Sequence, residues 1–221
     1  MKKFAAILLS IITVYNSQAQ SSPVKKQEVD YVNTIIGTPF AGFAEGLEGG
    51  GTLPCVGRPY AMTNFLAQTG ENKMGRTAYV YEDKSIMGFL ASHQPTVWMG
   101  DYGYVSIMPG VGDLKVLPKD RALPFDHADE ITKPYFYSVL LNKAGGHPIK
   151  AEIAAASRAA ILRFSFPVAE KAFLVIQGIN LNAAMKDESN DYTDRIKKLK
   201  GYIKIDRAKN EITTRGVATT S

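Results

Sequence analysis

The sequence predicts an all-β protein, an antiparallel β-sandwich. Three observations lead to this prediction. Short strand-like runs recur along the chain, and Gly, Pro, Asn or Asp separates them. Apolar and polar residues alternate over residues 149–156 and 159–166, which is the period of a half-buried strand. The chain shows neither alternating strands and helices nor a repeat of fixed period, which disfavours a parallel α/β sheet and a solenoid.

The predicted strands begin near residue 60 and are separated by turn residues. The run at 172–177 is continuously apolar, which predicts a strand buried on both faces. Residues 207–210 form a predicted four-residue hairpin loop between the last two strands. Only residues 186–200 have a partly helical pattern, which Gly201 would end. The predicted strands are residues 60–66, 77–81, 86–90, 102–108, 114–117, 134–141, 149–156, 159–166, 172–177, 201–206 and 211–215.

The N-terminus has the three parts of a secretory signal peptide. The opening Met-Lys-Lys is positively charged, residues 4–15 are apolar, and Ser17 and Ala19 are small residues at the positions that signal peptidase reads. The apolar run is too short to span a bilayer as a stable helix. We therefore expect residues 1–19 to be removed near Ala19. The mature protein is expected to be exported, periplasmic or extracellular, with no membrane span after cleavage.

The rest of the chain divides into a linker and one domain. Residues 20–30 are polar and contain Pro23, as expected of a linker, and residues 31–221 are expected to form the β-sandwich. Residues 216–221 lack the composition of a terminal tail, and the last predicted hairpin would present an exposed edge. We therefore expect the domain to be truncated at its C-terminal end.

Charge and cysteine content exclude some classes of protein. The net charge is +5, and removal of Lys2 and Lys3 with the signal peptide lowers it by two. The other basic residues are scattered among 21 acidic ones. This distribution favours solubility and lacks the clustered basic residues that indicate nucleic-acid binding. The single Cys55 cannot form an internal disulfide, and we interpret it as a small buried apolar residue.

The stretch with the most distinctive chemistry is residues 93–104, His-Gln-Pro-Thr-Val-Trp-Met-Gly-Asp-Tyr-Gly-Tyr. It carries the only Trp of the chain, Trp98, together with His93, Gly100 and Asp101. An indole ring stacks on the apolar C–H face of a sugar, while Asp and His bond its hydroxyls. The pattern is also typical of a rigid loop whose Trp closes the end of a β-core. The residues alone leave both interpretations open.

A second loop, residues 40–57, is rich in Gly and contains Glu45 and Glu48. Its three consecutive Gly residues precede neither a Lys-Ser/Thr pair nor a helix, and the carboxylates would repel phosphate, so we exclude a phosphate-binding loop. Glu45 and Glu48 are interpreted as solvated. His127 and His147 lie beside turn residues without a second ligand at metal spacing, so both are interpreted as structural.

Four stretches, in order, resemble the N-terminal domain of glycoside hydrolase family 92, the calcium-dependent exo-acting α-mannosidases. The likeness as a whole extends over nearly all of residues 31–215. The stretches are Tyr-Val-Asn-Thr-Ile-Ile-Gly-Thr at 31–38, the Gly-rich residues 49–62 ending in Gly-Arg-Pro-Tyr-Ala-Met, residues 88–104, and Leu-Pro-Lys-Asp-Arg-Ala-Leu-Pro-Phe-Asp-His at 117–127, which leads into an expected strand at 130–139.

The resemblance implies a β-sandwich packed against a larger (α/α)₆-barrel domain, with the active site between them. It implies hydrolysis with inversion by two carboxyl groups, and a calcium ion, Ca2+, that holds the mannose hydroxyls. The family's catalytic acid and base and its main calcium ligands lie in the barrel domain, beyond this chain. We therefore expect the chain alone to be inactive and assign no catalytic role to Glu45, Glu48, Asp101 or Asp126. The expected partners are mannose-containing glycans and the barrel domain of the same polypeptide.

The same resemblance implies that this domain supplies a wall of the sugar-binding subsite. Trp98 is expected to stack on the sugar ring, and Gly100 to allow close approach. Asp101 and His93 are expected to bond hydroxyls or orient neighbouring groups.

Gly50 and Gly51 are expected to offer backbone N–H groups to the sugar from the facing loop.

The sequence leaves open two alternatives from other classes of function. One is a free-standing carbohydrate-binding or surface-attachment β-sandwich without catalysis, and the other is a structural sandwich with no ligand.

Overall fold

The computed structural model describes residues 26–39, 51–70, 77–92, 105–167, 171–178 and 201–216. These residues form twelve strands, one four-residue helix α1 (Pro118–Arg121), and 3-10 turns at Glu28–Tyr31, His127–Asp129 and Lys143–Gly145. The strands are β1 (Asn64–Gln68), β2 (Ser85–Ile86), β3 (Gly88–Ser92), β4 (Val105–Val111), β5 (Leu123–Pro124), β6 (Ile131–Lys133), β7 (Phe136–Leu141), β8 (Ile149–Ala155), β9 (Ala160–Ser165), β10 (Ala172–Gln177), β11 (Gly201–Asp206) and β12 (Glu211–Gly216).

The first sheet is antiparallel, with its four strands in the order β1-β3-β4-β10. The register places Leu66 opposite Leu90 and Leu90 opposite Ser106, so β3 is paired on both sides. Every residue of β1 after Asn64 is buried. Apolar residues therefore dominate β1 and β3, as is usual for strands covered on both faces.

The second sheet is an antiparallel meander of β6, β7, β8 and β9. Across it, Tyr137 lies opposite Ile153, which lies opposite Leu162. In β9 the side chains alternate between partly buried and exposed, so Leu162 faces inward while Ile161 and Arg163 face outward. This is the period of two that the sequence showed, with one face on the core and one toward solvent.

The two sheets pack face to face around one apolar core. Phe89 of the first sheet meets two rings of the second, with centroids 6.3 Å from Tyr137 and 5.6 Å from Phe164. Cys55 is partly buried and packs against this core. The predicted antiparallel β-sandwich is confirmed. Fully buried core side chains come from both sheets and include Leu66, Phe89, Leu90, Met108, Tyr137, Val139, Leu141, Ile149 and Ile153.

Two predicted strands are not formed. Residues 77–81 are mostly buried, but their backbone bonds go to two different segments: the Ala78 carbonyl accepts from Thr69, and the Tyr81 N–H donates to Thr38. Residues 114–117 are exposed coil before α1. Their apolar side chains find no cover among the described residues, so a short apolar run alone did not identify a core strand.

Three other predictions are corrected in detail. The strand expected at 130–139 is two strands, because Pro134 has no N–H to donate and forms the β6–β7 turn with Tyr135. The strand expected at 86–90 is divided between β2 and β3 at Met87. The run at 172–177 is not buried on both faces: Leu174 is 48% exposed, so the described residues leave its face of β10 uncovered.

The last two strands form the predicted hairpin, with residues 207–210 as its turn and Ile205 opposite Ile212. The partly helical pattern at 186–200 lies outside the described residues. In the part of the chain that the structure covers, no helix has the length and apolar character needed to cross a membrane.

Candidate functional site

At one end of the sandwich, loops and turns that connect strands of both sheets lie together. We call this end the loop end. In the first sheet, Asn64 pairs with Ser92 and Ala91 with Val105. The chain therefore enters β1, leaves β3 and enters β4 at this end. In the second sheet, the β6–β7 and β8–β9 turns lie at the same end, because each accepts a backbone hydrogen bond from the loop that precedes β1. Loops that cluster at one end of a sandwich are where such folds place binding sites.

The loop before β1, residues 57–62, is fastened to the second sheet at both of its ends. The Gly57 N–H donates to the Pro134 carbonyl in the β6–β7 turn at 2.8 Å. The Met62 N–H donates to the Ser157 carbonyl in the β8–β9 turn, also at 2.8 Å. These two bonds join the loop ends of the two sheets and hold the loop in place.

Tyr60 stands at the tip of this loop. Its side chain is fully exposed, and its φ of 59° lies in the left-handed region. The Ala61 N–H donates to the Arg58 carbonyl at 2.9 Å and closes the turn. A non-Gly residue in this conformation costs about 1–2 kcal/mol, and an exposed ring gains no packing that would offset it. Strain of this kind is concentrated at functional positions.

Sequence reasoning missed Tyr60 because it placed residue 60 at the start of a predicted strand at 60–66. The strand begins four residues later, at Asn64. The available signal was Pro59, since a Pro followed by an aromatic residue after Gly-Arg indicates a turn more than a strand.

Of the residues predicted for the sugar site, the structure describes Gly51 alone. Gly51 is exposed with a φ of 79°. The next residue, Thr52, donates its N–H to the Gly37 carbonyl at 3.3 Å and its hydroxyl to the Ile36 carbonyl at 2.7 Å. Gly51 is therefore held beside the turn at residues 34–37. The other five, which stay predictions, lie outside the described residues: His93, Trp98, Gly100, Asp101 and Gly50.

A buried carboxylate, Glu130, is the centre of the most connected polar cluster in the described residues. Its side chain is 3% exposed. The Tyr137 hydroxyl donates to Oε1 at 2.6 Å, and the Tyr79 hydroxyl lies 3.1 Å from Oε1 and 3.0 Å from Oε2. Burial, and then the charge of Glu130, raise the pKa of both tyrosines above the ordinary value.

His127 completes this cluster. Its Nδ1 lies 2.7 Å from Oε2 of Glu130, and its Nε2 lies 2.6 Å from the Tyr81 carbonyl oxygen. The ring stacks on Tyr81 at 4.0 Å and meets the edge of Phe125 at 5.0 Å. Both oxygens of Glu130 are thus engaged out of reach of solvent. The cluster ties residues 77–81 to the second sheet, which agrees with the structural interpretation of His127.

A second charged group lies on the second sheet. Glu152 of β8 accepts from Nε of Arg163 at 2.6 Å, directly across the register, and pairs with Nζ of Lys150 at 2.9 Å. The bonds from Arg163 and Lys150 lower the pKa of Glu152 to about 2. The group is a cross-strand ion pair that fixes β8 against β9.

A cleft of about 230 Å³ opens beside α1, at the end of the sandwich opposite the loop end. Its polar lining includes Asp113, Asp120 and Arg121. Arg121 is buried, and it donates from Nε to the Met87 carbonyl at 2.8 Å and from Nη1 to the Val116 carbonyl at 3.0 Å. The guanidinium thus holds α1 against Met87, the residue between β2 and β3.

The family resemblance implies calcium, which would need a cluster of oxygen ligands. Within the ranges that the structure describes, no group of three or more His, Cys, Asp or Glu side chains could hold a metal ion. Calcium takes about six to eight oxygen ligands. The described residues therefore bring together no acidic cluster of the kind that would bind calcium, and calcium stays a prediction.

Comparison with known proteins identifies the family. The model of the glycosyl hydrolase family 92 N-terminal domain matches residues 31–220. A solved inverting mannosidase of family 92 from Bacteroides thetaiotaomicron is 38% identical with a TM-score of 0.58, over 68% of this chain and 20% of that chain. A family 92 α-mannosidase of the same organism, solved in complex with mannoimidazole, is 24% identical with a TM-score of 0.54, over 68% and 19%, and so supports the fold alone. No curated protein matched the sequence.

The chain thus spans about a fifth of the length of these solved mannosidases. The match to the family model extends over most of the 221 residues, and the relative that is 38% identical shares the fold. The predicted family is confirmed: this chain belongs to glycosyl hydrolase family 92 and carries its N-terminal domain.

Proposed function

We propose that this chain forms one wall of the sugar site in an exported α-mannosidase that removes terminal α-linked mannose from glycans with inversion. The observation that carries the proposal is its membership of family 92, with 38% identity to a solved inverting mannosidase. In this proposal the chain binds and orients the sugar, while the catalytic acid and base belong to a domain that this chain does not include.

Each proposed sugar contact has a distinct role. Trp98 covers the apolar face of the terminal mannose ring, and Gly100 lets the backbone approach the ring closely. Asp101 accepts hydrogen bonds from the sugar hydroxyls, and His93 bonds a hydroxyl or orients Asp101. Together these groups would hold the ring in one orientation, which is the main contribution that a non-catalytic wall makes to the rate.

Gly50 and Gly51 are proposed to face the sugar with backbone N–H groups. The proposal is more specific for Gly51, whose φ of 79° favours glycine. The turn at residues 34–37 holds the neighbouring Thr52.

The topology of the loop end supports the position of this wall. Residues 93–104 connect Ser92 of β3 to Val105 of β4, and both of these residues lie at the loop end. The fastened loop at 57–62 lies at the same end. A sugar bound there would meet loops of both sheets.

The proposed reaction requires chemistry from outside the chain. One carboxyl group protonates the leaving glycosidic oxygen as its bond to the anomeric carbon breaks. A second carboxylate takes a proton from the water that attacks the opposite face. Calcium, when bound, would neutralise charge on oxygen ligands and hold sugar hydroxyls. Its ligands are proposed to lie in the catalytic domain.

The first experiment is an immunoblot of the native gene product with an antibody against this segment. A band several times heavier than this 221-residue chain supports the proposal, because the chain spans a fifth of the solved mannosidases. The purified product should release mannose from terminal α-mannosides, and NMR should show the β-anomer first. A band of this chain's own mass without hydrolysis would overturn the proposal in favour of a carbohydrate-binding or surface-attachment module.

The wall is tested with Trp98→Ala in that product. We expect kcat/KM for an α-mannoside to fall by about five- to tenfold, because an aromatic stacking contact is worth roughly 1–1.5 kcal/mol. Leu114→Ala, which truncates a 64%-exposed side chain at the opposite end, is the matched control. Equal kcat/KM for Trp98→Ala and the control would refute the assignment of Trp98.

A further inference from the structure

The tip of the loop at 57–62 combines exposure, strain and fixed position. Tyr60 is fully exposed in a left-handed conformation, while Gly57 and Met62 anchor the loop to two turns of the second sheet. A left-handed turn residue is usually Gly or Asn, so the turn itself does not explain why a large exposed ring stands at its tip. The described contacts therefore indicate that the ring is presented to something outside this domain.

The register fixes where the ring is presented. Tyr60 lies four residues before Asn64, and Asn64 pairs with Ser92 at the loop end. The loop that carries the ring is therefore at the end of the sandwich where the chain leaves β3. It is also at the rim of the domain, since residues 58–60 are all exposed.

We propose that Tyr60 determines specificity for the second sugar ring of the glycan, on the leaving-group side. This inference rests on the proposed function. An exo-acting enzyme must enclose the terminal ring, so the rest of the glycan points toward solvent and crosses the rim. Because Tyr60 is fully exposed at this rim, its ring can contact the second sugar. The residues of the proposed wall contact the terminal sugar.

The chemistry of the loop suits a pyranose ring. The phenol presents an apolar face to sugar C–H groups and a hydroxyl that both donates and accepts. Arg58, exposed two residues earlier, adds N–H donors for hydroxyl oxygens, and Met62, 47% exposed, adds apolar surface. The alternative occupant, another domain of the same polypeptide, is an outcome of the test below.

The test compares two substrates of the complete gene product. One is an α-linked mannobiose, which carries a second ring, and the other is α-mannosyl fluoride, which has no ring in its leaving group. We expect Tyr60→Ala to lower the ratio of kcat/KM for mannobiose to that for the fluoride by about tenfold. Tyr60→Phe should keep most of the ratio, because it retains the ring, and Leu114→Ala should keep all of it.

Tyr60→Asn guards against misfolding, because Asn tolerates a left-handed φ better than Ala does. It should lower the ratio as Tyr60→Ala does. An unchanged ratio of kcat/KM values in both variants would overturn the inference. If both variants with an unchanged ratio also lost thermal stability, Tyr60 would be placed against another domain instead. If the unsubstituted protein cleaves neither substrate, the proposed function fails instead.

Discussion

His127 and Glu130, with only two residues between them in the chain, bond to each other: Nδ1 of His127 lies 2.7 Å from Oε2 of Glu130. Glu130 also accepts from tyrosines 51 positions earlier and seven positions later. One carboxylate therefore joins a 3-10 turn, a strand of the second sheet and a segment without strand structure. A buried charge with this many donors is stabilising only while every donor stays in place.

Glu130→Gln should destabilise the fold. The Gln side chain retains one acceptor oxygen, but its other end is an NH₂ donor. The hydroxyl and imidazole donors that face this NH₂ would lose their acceptor. We expect the free energy of unfolding to fall by about 2 kcal/mol, the penalty for leaving buried polar groups unsatisfied. Urea denaturation measures this. Glu211→Gln, at an exposed position of β12, is the control and should change little. Similar values for both variants would show that the cluster adds no stability.

Gly88→Ala should destabilise the first sheet. A Cβ at Gly88 would lie 2.0 Å from the Ser106 hydroxyl oxygen, which donates to Oε1 of Gln68 at 3.2 Å. The hydroxyl must turn away and lose this buried bond, so we expect a loss of about 1–3 kcal/mol in unfolding free energy. Gly178→Ala is the control, because its Cβ would make only ordinary contacts.

A double-mutant cycle tests the cause of that loss. In a Ser106→Ala background the colliding oxygen is gone, so Gly88→Ala should cost less than it does in the natural sequence. Additive losses in the double variant would mean that some other contact at Gly88 is responsible.

Glu152 makes stability depend on acid pH. Arg163 and then Lys150 lower its pKa from 4.5 to about 2. Because the folded-state pKa is depressed, the stabilisation is fully present above the unfolded value and is lost as the pH falls from about 4.5 toward 2. Denaturation midpoints measured from pH 6 to 2 should fall more steeply for the natural protein than for Glu152→Gln. Parallel curves would count against the ion pair.

Arg121→Lys should weaken the attachment of α1. The guanidinium donates to two carbonyls, of Met87 and Val116, from a buried position. An ammonium group at the end of a flexible stem cannot reproduce this fork. We expect a loss of roughly 2 kcal/mol in unfolding free energy, the scale of a hydrogen bond to a charged group. Arg207→Lys in the exposed β11–β12 turn should be neutral. A neutral Arg121→Lys would contradict this role for the guanidinium.

Predictions from periodicity succeeded where the signal was local. The alternating runs at 149–156 and 159–166 are β8 and β9, and the last two predicted strands form β11 and β12. The runs at 77–81 and 114–117 are apolar but are not strands. Their sequences resemble strands, and the difference is whether a partner strand lies beside them, which periodicity does not encode.

The sequence by itself determined the sandwich class and, through four ordered stretches, the family. Both depend on patterns carried by neighbouring residues. Only the tertiary structure decided that Tyr79 and Glu130 meet, and that the 57–62 loop is anchored to two turns of the other sheet with Tyr60 exposed at its tip. Contacts between residues far apart in the chain depend on how the sheets pack and on strand register, so no local pattern specifies them.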